Sequence, residues 1–218
     1  MQISVSPELL SVWPDAALGV LVYTAEVKAS DEKQLADFEA ALVRLAGEYQ
    51  LDTVTKNPHV DATRRAYKAL GKSPSEYRNS AEAMLRRIVK GSGLYHINNV
   101  IEVNNLISVE SGYAIGSYDV EELQGEVTLV RAEDGAHYDG IGKSSVNIQH
   151  LPVLKDELGY FGSPTSDSQR AMIKEGKHRV CSVIFAFDGK EAVAEWVDRF
   201  KEALDKYVQP EAVETFIV

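Results

Sequence analysis

The segment Arg179–Phe187 reads RVCSVIFAF, a nearly continuous apolar run that is rich in β-branched and aromatic residues. An apolar run of this length is typical of a strand that is buried on both faces of a sheet. A turn signal, Asp188-Gly189, follows directly, and apolar residues then recur at helical spacing from Lys190 to Tyr207. The sequence therefore predicts a central strand followed by a helix with one apolar face.

Other strands are predicted on both sides of this segment. The runs that are β-branched or alternate between apolar and polar residues are Ile3–Val5, Leu18–Val27 and Phe216–Val218. Val127–Arg131 and Ala136–Tyr138 flank the dipeptide Asp134-Gly135, which strongly indicates a tight hairpin turn. We therefore expect these two segments to pair with each other.

Helices are predicted from capping residues and from apolar residues at helical spacing. The predicted starts are Ser30 as an N-cap, Asn57-Pro58 with proline in the first turn, and Ser80 as an N-cap. The pattern of Ile97–Glu110 fits a buried helix and a strand equally. The order of elements predicts an α/β (α+β) fold, with a mixed, largely antiparallel sheet flanked by helices. Residues 1–218 are expected to form one domain, with two fused lobes as the alternative.

The composition limits the classes of function. The chain has 218 residues, 44% of them apolar, and a formal net charge of −10, which on average repels phosphate. Its single cysteine, Cys181, excludes an internal disulfide, and its place in an apolar strand predicts an inert thiol. No apolar stretch is long enough to cross a bilayer, and the first residues lack the pattern of a secretory signal. A cytoplasmic protein without a membrane partner is expected.

One segment reverses the overall charge. Residues 56–90 contain nine basic and three acidic residues, a net charge of +6, whereas the rest of the chain carries −16. Two interpretations stay open: solvated helix faces whose cations pair with acids elsewhere, or a contact surface for a phosphate backbone. The candidate phosphate contacts are Arg64, Arg65, Lys68, Arg86, Arg87 and Lys90. Arg64 and Arg65 are favoured, because Arg86 or Arg87 is expected to turn inward toward a carboxylate.

Common catalytic motifs are missing. The five histidines are scattered without the spacing of metal ligands, and no G-x-S-x-G elbow occurs. The run Gly140–Ser144 (GIGKS) is not a phosphate loop, because His137 stands where the first glycine of that motif is required. We therefore expect neither a metal nor a cofactor.

Two polar clusters stand out from their surroundings. The first interrupts Ile97–Glu110 and consists of Asn98, Asn99, Glu102, Asn104 and Asn105. Buried amides need hydrogen-bond partners, so these residues are either caps and loop contacts or part of a binding site. The second cluster is the loop Gly162–Ser168 (GSPTSDS), followed by Arg170. It is either a plain turn or a set of groups that could hold the ammonium and carboxylate of an amino acid.

The segment Arg86–Leu123 (RRIVKGSGLYHINNVIEVNNLISVESGYAIGSYDVEEL) resembles a known family signature. It is similar to the B-three/B-four module of the bacterial phenylalanyl-tRNA synthetase β-subunit. That module carries an I-N-N-V-V-D-[IV]-T-N-Y stretch, a P-L-H-A-[FY]-D block and a strand with R-A. The matching residues are Ile97–Asn105, Ala114–Asp119 and Val130–Ala132. With the loop Gly162–Ser168 and an upstream run from Arg64 to Arg87, which resemble free-standing members, the resemblance covers about residues 60–187.

The resemblance implies a pocket between two lobes and hydrolysis of tyrosine wrongly attached to the tRNA specific for phenylalanine. Two positions depart from the family. Gly116 stands at the place of its histidine, and Val183–Phe187 lacks its recognition glutamate. Without a metal or an evident nucleophile, the implied chemistry is attack by a positioned water, with the oxyanion held by amides and polar side chains.

The expected function is that of a stand-alone editing domain that binds aminoacyl-tRNA and hydrolyses a mischarged ester. The alternative is a non-catalytic module that binds tRNA or an amino acid. The catalytic candidates are Asn98, Asn99, Glu102, Ser117 and Asp119. The substrate-binding candidates are Asn104, Asn105, Ser163, Thr165, Ser166, Asp167 and Arg170.

The expected partners are the aminoacylated end of tRNA and, as a second candidate, a free amino acid, but not DNA. Sequence-distant polar clusters in apolar surroundings commonly meet at one site. We therefore expect Asn98, Asn105, Asp119 and the loop Ser163–Asp167 to surround one cavity between the lobes.

Overall fold

Two four-stranded sheets, a two-stranded ribbon and six α-helices make up the fold, which a computed structural model describes for all 218 residues. The strands are β1 (Ile3–Val5), β2 (Ala17–Val27), β3 (Ala114–Asp119), β4 (Val127–Arg131), β5 (His137–Tyr138), β6 (Val146–Asn147), β7 (Pro152–Asp156), β8 (Gly159–Gly162), β9 (Gly176–Ala186) and β10 (Glu211–Ile217). The helices are α1 (Pro7–Val12), α2 (Glu32–Glu48), α3 (Pro58–Leu70), α4 (Ser80–Val89), α5 (Asn99–Ser111) and α6 (Lys190–Tyr207).

The first sheet has the strand order β10-β2-β9-β3, and all of its pairs are antiparallel. β9 lies in its interior, as the apolar segment Arg179–Phe187 predicts, and it pairs with β2 along its whole length. α6 follows with the predicted bounds. β10 is an edge strand, confirmed at Phe216 and longer than predicted. The apolar run Arg179–Phe187 therefore forms the interior strand of this sheet.

The second sheet has the order β1-β4-β7-β8, with one parallel pair, β1 with β4. The predicted hairpin of Val127–Arg131 with Ala136–Tyr138 is wrong. β4 has β1 on one side and β7 on the other, so both of its hydrogen-bonding edges are occupied. The turn at Asp134-Gly135 instead leads to β5, which pairs with β6 in a separate ribbon.

The first sheet separates two apolar cores. α5 and α6 cover one face, where Leu21, Ile184 and Phe200 are buried. The other face packs against the second sheet through residues such as Val183 and Leu129. Side chains of successive strand residues point to opposite faces. Successive residues of β3 therefore belong to different cores.

The ambiguous segment Ile97–Glu110 forms helix α5. Asn98 caps it, because its Oδ1 accepts a hydrogen bond from the Ile101 amide at 2.9 Å. Gly112 ends it in the left-handed region at φ 91°, where a glycine is favoured. Much of the helix circumference is buried, since α2, α4, α6 and β3 all contact it. Apolar residues around the whole helix explain why its periodicity resembles that of a strand.

Two helix starts differ from the prediction by one residue. Asp31 and Asn79, rather than Ser30 and Ser80, are the N-caps of α2 and α4. Their side-chain oxygens accept hydrogen bonds from backbone amides three residues later, at 2.7 and 2.8 Å. The serines precede or follow the cap in the same turn, so the helices themselves are as predicted.

The predicted fold class is confirmed: the structure is a mixed α/β fold with largely antiparallel sheets and flanking helices. No helix of the protein is both long and apolar enough to cross a membrane.

Candidate nucleic-acid interface

A groove rich in cations lies between α4 with its preceding loop and the loop that leads into β6. It has a volume of about 700 Å³, within the range of roughly 300–1,000 Å³ that is typical of ligand sites. We call it the basic groove. Its charged lining residues are Glu76, Arg78, Arg86, Arg87, Lys90 and Lys143, and Thr165 of the predicted substrate loop also lines it. Five cations against one carboxylate make this a positive surface on a protein of net charge −10.

Three of these cations have no acidic partner. No carboxylate lies within 4.0 Å of the charged nitrogens of Arg87, Lys90 or Lys143. Arg87 donates instead to the carbonyl oxygens of Gly93 at 3.2 Å and Ser92 at 3.4 Å, which hold its guanidinium in place. Cations without an acidic partner in a groove are free to bind an anion.

The buried carboxylate of Glu82 organises the arginines behind the groove. Its side chain is fully buried, and it accepts hydrogen bonds from Arg64 at 2.9 and 3.1 Å and from Arg86 at 2.9 Å. Arg78 lies 3.6 Å from it. Arg64 also donates to the carbonyl of Pro74 at 3.1 Å. Glu82 therefore orients two groove arginines, Arg78 and Arg86. Arg64 links α3 to Glu82 of α4 and to the loop at Pro74.

This geometry corrects the preference for Arg64 and Arg65 as phosphate contacts. Arg64 forms an ion pair with the buried Glu82. Arg65 pairs with Asp61 on the exposed side of α3 at 2.9 Å. Neither of them lines the groove, and neither does the exposed Lys68. Arg86 does turn toward a carboxylate, as expected. Arg86, Arg87 and Lys90 are the three predicted contacts that line the groove.

A buried lysine fastens the two walls of the groove together. Lys72 is 7% exposed, and its Nζ donates to the carbonyls of Asn147 and Gln149 at 3.3 and 2.7 Å. The same ammonium lies 3.7 Å from the ring centroid of Tyr77. Burial lowers the pKa of Lys72. The segment before α4 is therefore tied to the segment after β6.

The predicted substrate loop is bonded to three buried tyrosines. Tyr67 of α3 and the Thr165 hydroxyl lie 2.9 Å apart. Tyr138 of β5 donates to Ser163 Oγ at 3.1 Å and to the Ser166 carbonyl. Tyr118 of β3 donates to Asp167 Oδ1 at 2.8 Å. Because Thr165 also lines the groove, this network forms the support behind one groove wall.

Asp167 is the titratable group of this network. Burial raises the pKa of Asp167 to about 7, and the hydrogen bonds from the Tyr118 hydroxyl and the Ser163 amide oppose the rise. Its second oxygen, Oδ2, accepts no hydrogen bond from the protein. Such a carboxylate can take up or release a proton near neutral pH.

Gly116 leaves the space that Tyr118 and Asp167 fill. A Cβ atom at Gly116 would lie 2.1 Å from the Tyr118 hydroxyl and 3.1 Å from Asp167 Oδ2. A Cβ atom at Gly162 would lie 2.2 Å from the same hydroxyl. A side chain larger than glycine at position 116 would therefore collide with Tyr118.

The asparagine cluster lies on the helix-covered face of the first sheet. Ser117 donates to Asn104 Oδ1 at 3.1 Å and lies 2.7 Å from the hydroxyl of Ser182, which contacts Tyr23 at 2.9 Å. Asn104 also donates to the Ile115 carbonyl. All four side chains of this hydrogen-bonded series are buried. It joins α5 to the sheet.

The other predicted catalytic residues are also held by internal contacts. Asn99 bridges to β2, donating to the Glu26 carbonyl at 3.0 Å and accepting from the Lys28 amide at 3.0 Å. The carboxylate of Glu102 accepts from the Ser30 hydroxyl and the Ile97 amide. These bonds fix the start of α5.

Three further candidates differ in how they are held. Asp119 Oδ2 lies 2.8 Å from His178 Nδ1 at the end of β3. Arg170 pairs with the buried Asp156 at 2.7 Å. Asn105 is half-buried and forms no side-chain hydrogen bond within the protein.

The expected single cavity is wrong. Ser117 and Tyr118 are consecutive in β3, so their side chains point to opposite faces. Ser117 contacts Asn104 of α5 on one face, and Tyr118 contacts Asp167 on the other. The asparagine cluster and the loop Ser163–Asp167 are therefore separated by the sheet. Of the substrate candidates, Thr165 is the one that lines the basic groove.

Several groove residues were not chosen from the sequence. Arg86 lies four positions after Glu82 on α4, a spacing that brings the two to one helix face and could have identified this pair. Arg78 precedes the helix and approaches Glu82 from the loop. Lys143 and the three tyrosines carry no such local signal, because only the tertiary fold brings them to α4 and the loop.

A second cleft, of about 730 Å³, lies between α2, α5 and α6. We call it the paired cleft, because its charges neutralise one another. Arg44 pairs with Glu110 at 2.6 Å, and Lys206 pairs with Asp37 at 2.9 Å. Arg199 pairs with the neighbouring Glu195 at 2.7 Å. This cleft has no excess of one charge to attract an ion.

The two antiparallel-rich sheets and the helices packed on one of them define a mixed α/β protein. The model of the B3/4 domain family matches residues 62–217, well over half of the chain, and the protein belongs to this family. A comparison with curated protein sequences gives no match.

Among solved structures, the chain is similar to an N-terminal fragment of the phenylalanyl-tRNA synthetase β-subunit from Pyrococcus horikoshii. The TM-score is 0.51 at 11% sequence identity, and the match covers 100% of this chain. The chain spans about half, 54%, of that fragment. At this level of identity the likeness shows a shared fold. It agrees with the fold class predicted from the sequence.

Proposed function

We propose that the protein binds the aminoacylated end of tRNA in the basic groove and hydrolyses a mischarged aminoacyl ester. The observation that carries the proposal is the set of unpaired cations Arg87, Lys90 and Lys143 beside Thr165 of the polar loop. Membership in the B3/4 domain family and the fold shared with a phenylalanyl-tRNA synthetase subunit support tRNA as the partner.

Phosphate binding is the part that the groove supports most directly. Arg78 and Arg86 are oriented by Glu82, and the three unpaired cations have no carboxylate within 4.0 Å. Each phosphate neutralised by such a cation releases condensed counterions, so binding weakens as salt rises. A small set of unpaired cations on an acidic protein also confines nucleic acid to one surface, because the rest of the chain repels it.

Hydrolysis would use a water molecule and the carboxylate of Asp167, which does not line the basic groove itself but lies two positions after Thr165, a lining residue. The carboxylate takes a proton from the water while the water oxygen attacks the ester carbonyl carbon. Backbone amides would stabilise the negative charge on the carbonyl oxygen. The ribose oxygen then leaves with the proton that Asp167 took from the water, which regenerates the carboxylate. A base with a pKa of about 7 suits this step at neutral pH. Asn98, Asn99, Glu102, Ser117 and Asp119 in this proposal hold the fold around β3 and α5.

A non-catalytic tRNA-binding module is the second candidate. The observation that favours it is the filled space beside Gly116, which the Tyr118 hydroxyl and Asp167 occupy. A tyrosine in that space leaves less room for an aminoacyl group. This candidate keeps the phosphate contacts of the groove and omits the ester chemistry.

One experiment separates the two candidates. Purified protein is mixed with a panel of mischarged and correctly charged tRNAs, and both binding and release of the amino acid are followed. Faster release from one mischarged tRNA, lost in Asp167→Asn while binding is kept, supports hydrolysis. Loss of the general base should slow release by about 10²–10⁴-fold. Binding without release supports the non-catalytic module.

The groove itself is tested with a charge-reversed variant, Arg87→Glu with Lys90→Glu. Its binding should weaken, and the slope of log K against log salt should fall in magnitude by roughly 1.4–1.8 for two lost phosphate contacts. The matched control is Arg199→Glu with Lys201→Glu on α6, which changes the net charge equally outside the basic groove. Equal weakening in both variants would reject the groove as the binding site.

A further inference from the structure

We infer that Tyr95 and Arg87 form a stacking platform for unpaired nucleotides at the edge of the basic groove, which therefore takes a single-stranded RNA end rather than a duplex. This inference rests on the proposed function, because it assigns bases to a ligand whose phosphates the groove would hold. Tyr95, which lies outside the groove lining, would then contact bases, and the groove would prefer single-stranded to duplex RNA.

Tyr95 is unusual among the aromatic residues of the protein. Its side chain is 70% exposed, whereas the other large apolar side chains that face solvent are aliphatic or Met1. The chain has ten tyrosines, six phenylalanines and two tryptophans, and the rest of them are buried or half-buried. Folding places this one ring in water beside Arg87, a cation of the basic groove.

Arg87 connects this ring to the groove. Its guanidinium carbon lies 4.8 Å from the centroid of the Tyr95 ring, within the distance of a cation–π contact. The hydrogen bonds to Gly93 and Ser92 keep the guanidinium from turning away. A planar cation and an aromatic ring in contact present adjoining flat surfaces. Unpaired bases stack on both kinds of surface.

Tyr77, the tyrosine that lines the groove, is not an equivalent platform. The buried ammonium of Lys72 lies 3.7 Å from its ring centroid and is itself fixed by carbonyl oxygens of the opposite wall. One face of Tyr77 is therefore used to join the two groove walls. Tyr95 has no such structural task, since its partner Arg87 is held by other bonds.

The exposed ring favours an unpaired strand over a duplex. In a duplex the base faces are stacked on each other, so proteins recognise it through phosphates, hydroxyls and shape. A ring beside a duplex therefore gains little. In a single strand the bases are free to stack on aromatic side chains while the backbone follows a positive groove. Tyr95 supplies the ring and Arg87, Lys90 and Lys143 supply the charge.

The test compares two forms of the same labelled tRNA, one intact and one from which the unpaired 3′ nucleotides have been removed. Binding to each is measured by fluorescence anisotropy for the wild type, Tyr95→Ala and Tyr95→Phe. Val43→Ala is the matched control, because Val43 is 74% exposed and lies on α2, outside the groove. A short single-stranded RNA and a hairpin without overhang serve as competitors.

Loss of one stacked base should weaken binding of the intact tRNA to Tyr95→Ala by roughly 5- to 150-fold. Tyr95→Phe should bind as the wild type does, because the ring is kept. The truncated tRNA should bind the wild type more weakly and should not distinguish it from Tyr95→Ala. The single strand should compete better than the hairpin.

Equal effects of Tyr95→Ala on intact and truncated tRNA would overturn the inference, as would better competition by the hairpin. The proposed function fails in a different way. If Arg87→Glu with Lys90→Glu binds intact tRNA as the wild type does, the groove does not hold the nucleic acid at all. If that variant loses binding while Tyr95→Ala keeps it, only the stacking platform is rejected.

Discussion

The basic groove and the paired cleft have nearly the same volume, about 700 and 730 Å³, but opposite electrostatics. In the paired cleft Arg44 meets Glu110 and Lys206 meets Asp37, so each cation lies against an acid. In the basic groove Arg87, Lys90 and Lys143 have no acidic neighbour. The two concave surfaces therefore differ in the number of cations without an acidic partner and not in size.

This difference shows that concavity alone does not identify a site. A cation that is already paired must lose its partner before it binds a ligand, and exposed pairs contribute only about 0–1 kcal/mol to stability. The groove instead has its one buried acid, Glu82, behind the arginines rather than in front of them. That placement orients the cations without neutralising the surface that a ligand would meet.

The largest expected effect compares Glu82→Ala with Glu110→Ala. Glu82→Ala leaves Arg64 and Arg86 without their partner beside a fully buried position, so the free energy of unfolding should fall by about 3–5 kcal/mol. Glu110→Ala breaks a pair at the surface and should change it by about 0–1 kcal/mol. Urea unfolding at one pH measures both. Similar losses would mean that the buried acid does not organise the groove.

A smaller effect is expected from Lys72→Met. Methionine fills the space but leaves the carbonyls of Asn147 and Gln149 without a donor, at a cost of about 1–3 kcal/mol. Lys206→Met in the paired cleft removes an exposed ammonium and should cost about 0–1 kcal/mol. Thermal and urea unfolding measure the difference. An unchanged free energy of unfolding in Lys72→Met would show that the hydrogen bonds of Lys72 do not stabilise the contact between the groove walls.

The third effect is a dependence of stability on pH. The pKa of Asp167 is about 7 in the folded protein and lower in the unfolded chain, so the folded state binds the extra proton. Its contribution to stability is therefore fully present below the unfolded pKa and is lost as pH rises to about 7. Relative to the wild type, Asp167→Asn should remove this slope between about pH 4 and 7. Parallel profiles for the two proteins would contradict the raised pKa.

The smallest effect is expected from Arg65→Ala. Its pair with Asp61 is exposed, with 60% and 51% of the two side chains in solvent, and should contribute about 0–1 kcal/mol. Binding of tRNA should also stay within about twofold of the wild type, since Arg65 does not line the groove. A large loss of binding would extend the interface onto α3 and weaken the contrast between the two surfaces.

The fold was predictable to the extent that it depends on local patterns. The apolar run at Arg179–Phe187, the helix from Lys190 and the proline-started helix at Pro58 appear as expected. The hairpin at Asp134-Gly135 failed because a turn signal does not specify which strands pair, and β4 already had two partners. Pairing is a tertiary property that the turn residues do not encode.

The site was predictable only in part, for a similar reason. The cations of α4 follow from the charge of one segment, and Arg86, Arg87 and Lys90 do line the groove. The asparagines and Asp167 looked like one polar site, but alternation along β3 sends Ser117 and Tyr118 to opposite faces. The face of a strand on which a polar partner lies depends on what packs there.

Lys72 gives the groove a property that concerns stability more than recognition. It joins the segment before α4 to the segment after β6, two parts of the chain that are far apart in sequence. A ligand that spans both walls adds a second tie between them and therefore binds the folded chain in preference to the unfolded one. At one hundred times its dissociation constant, such a ligand would raise the free energy of unfolding by about 2.7 kcal/mol. The rise in melting temperature can therefore be used to rank RNA ends by their affinity for the groove before any activity is known.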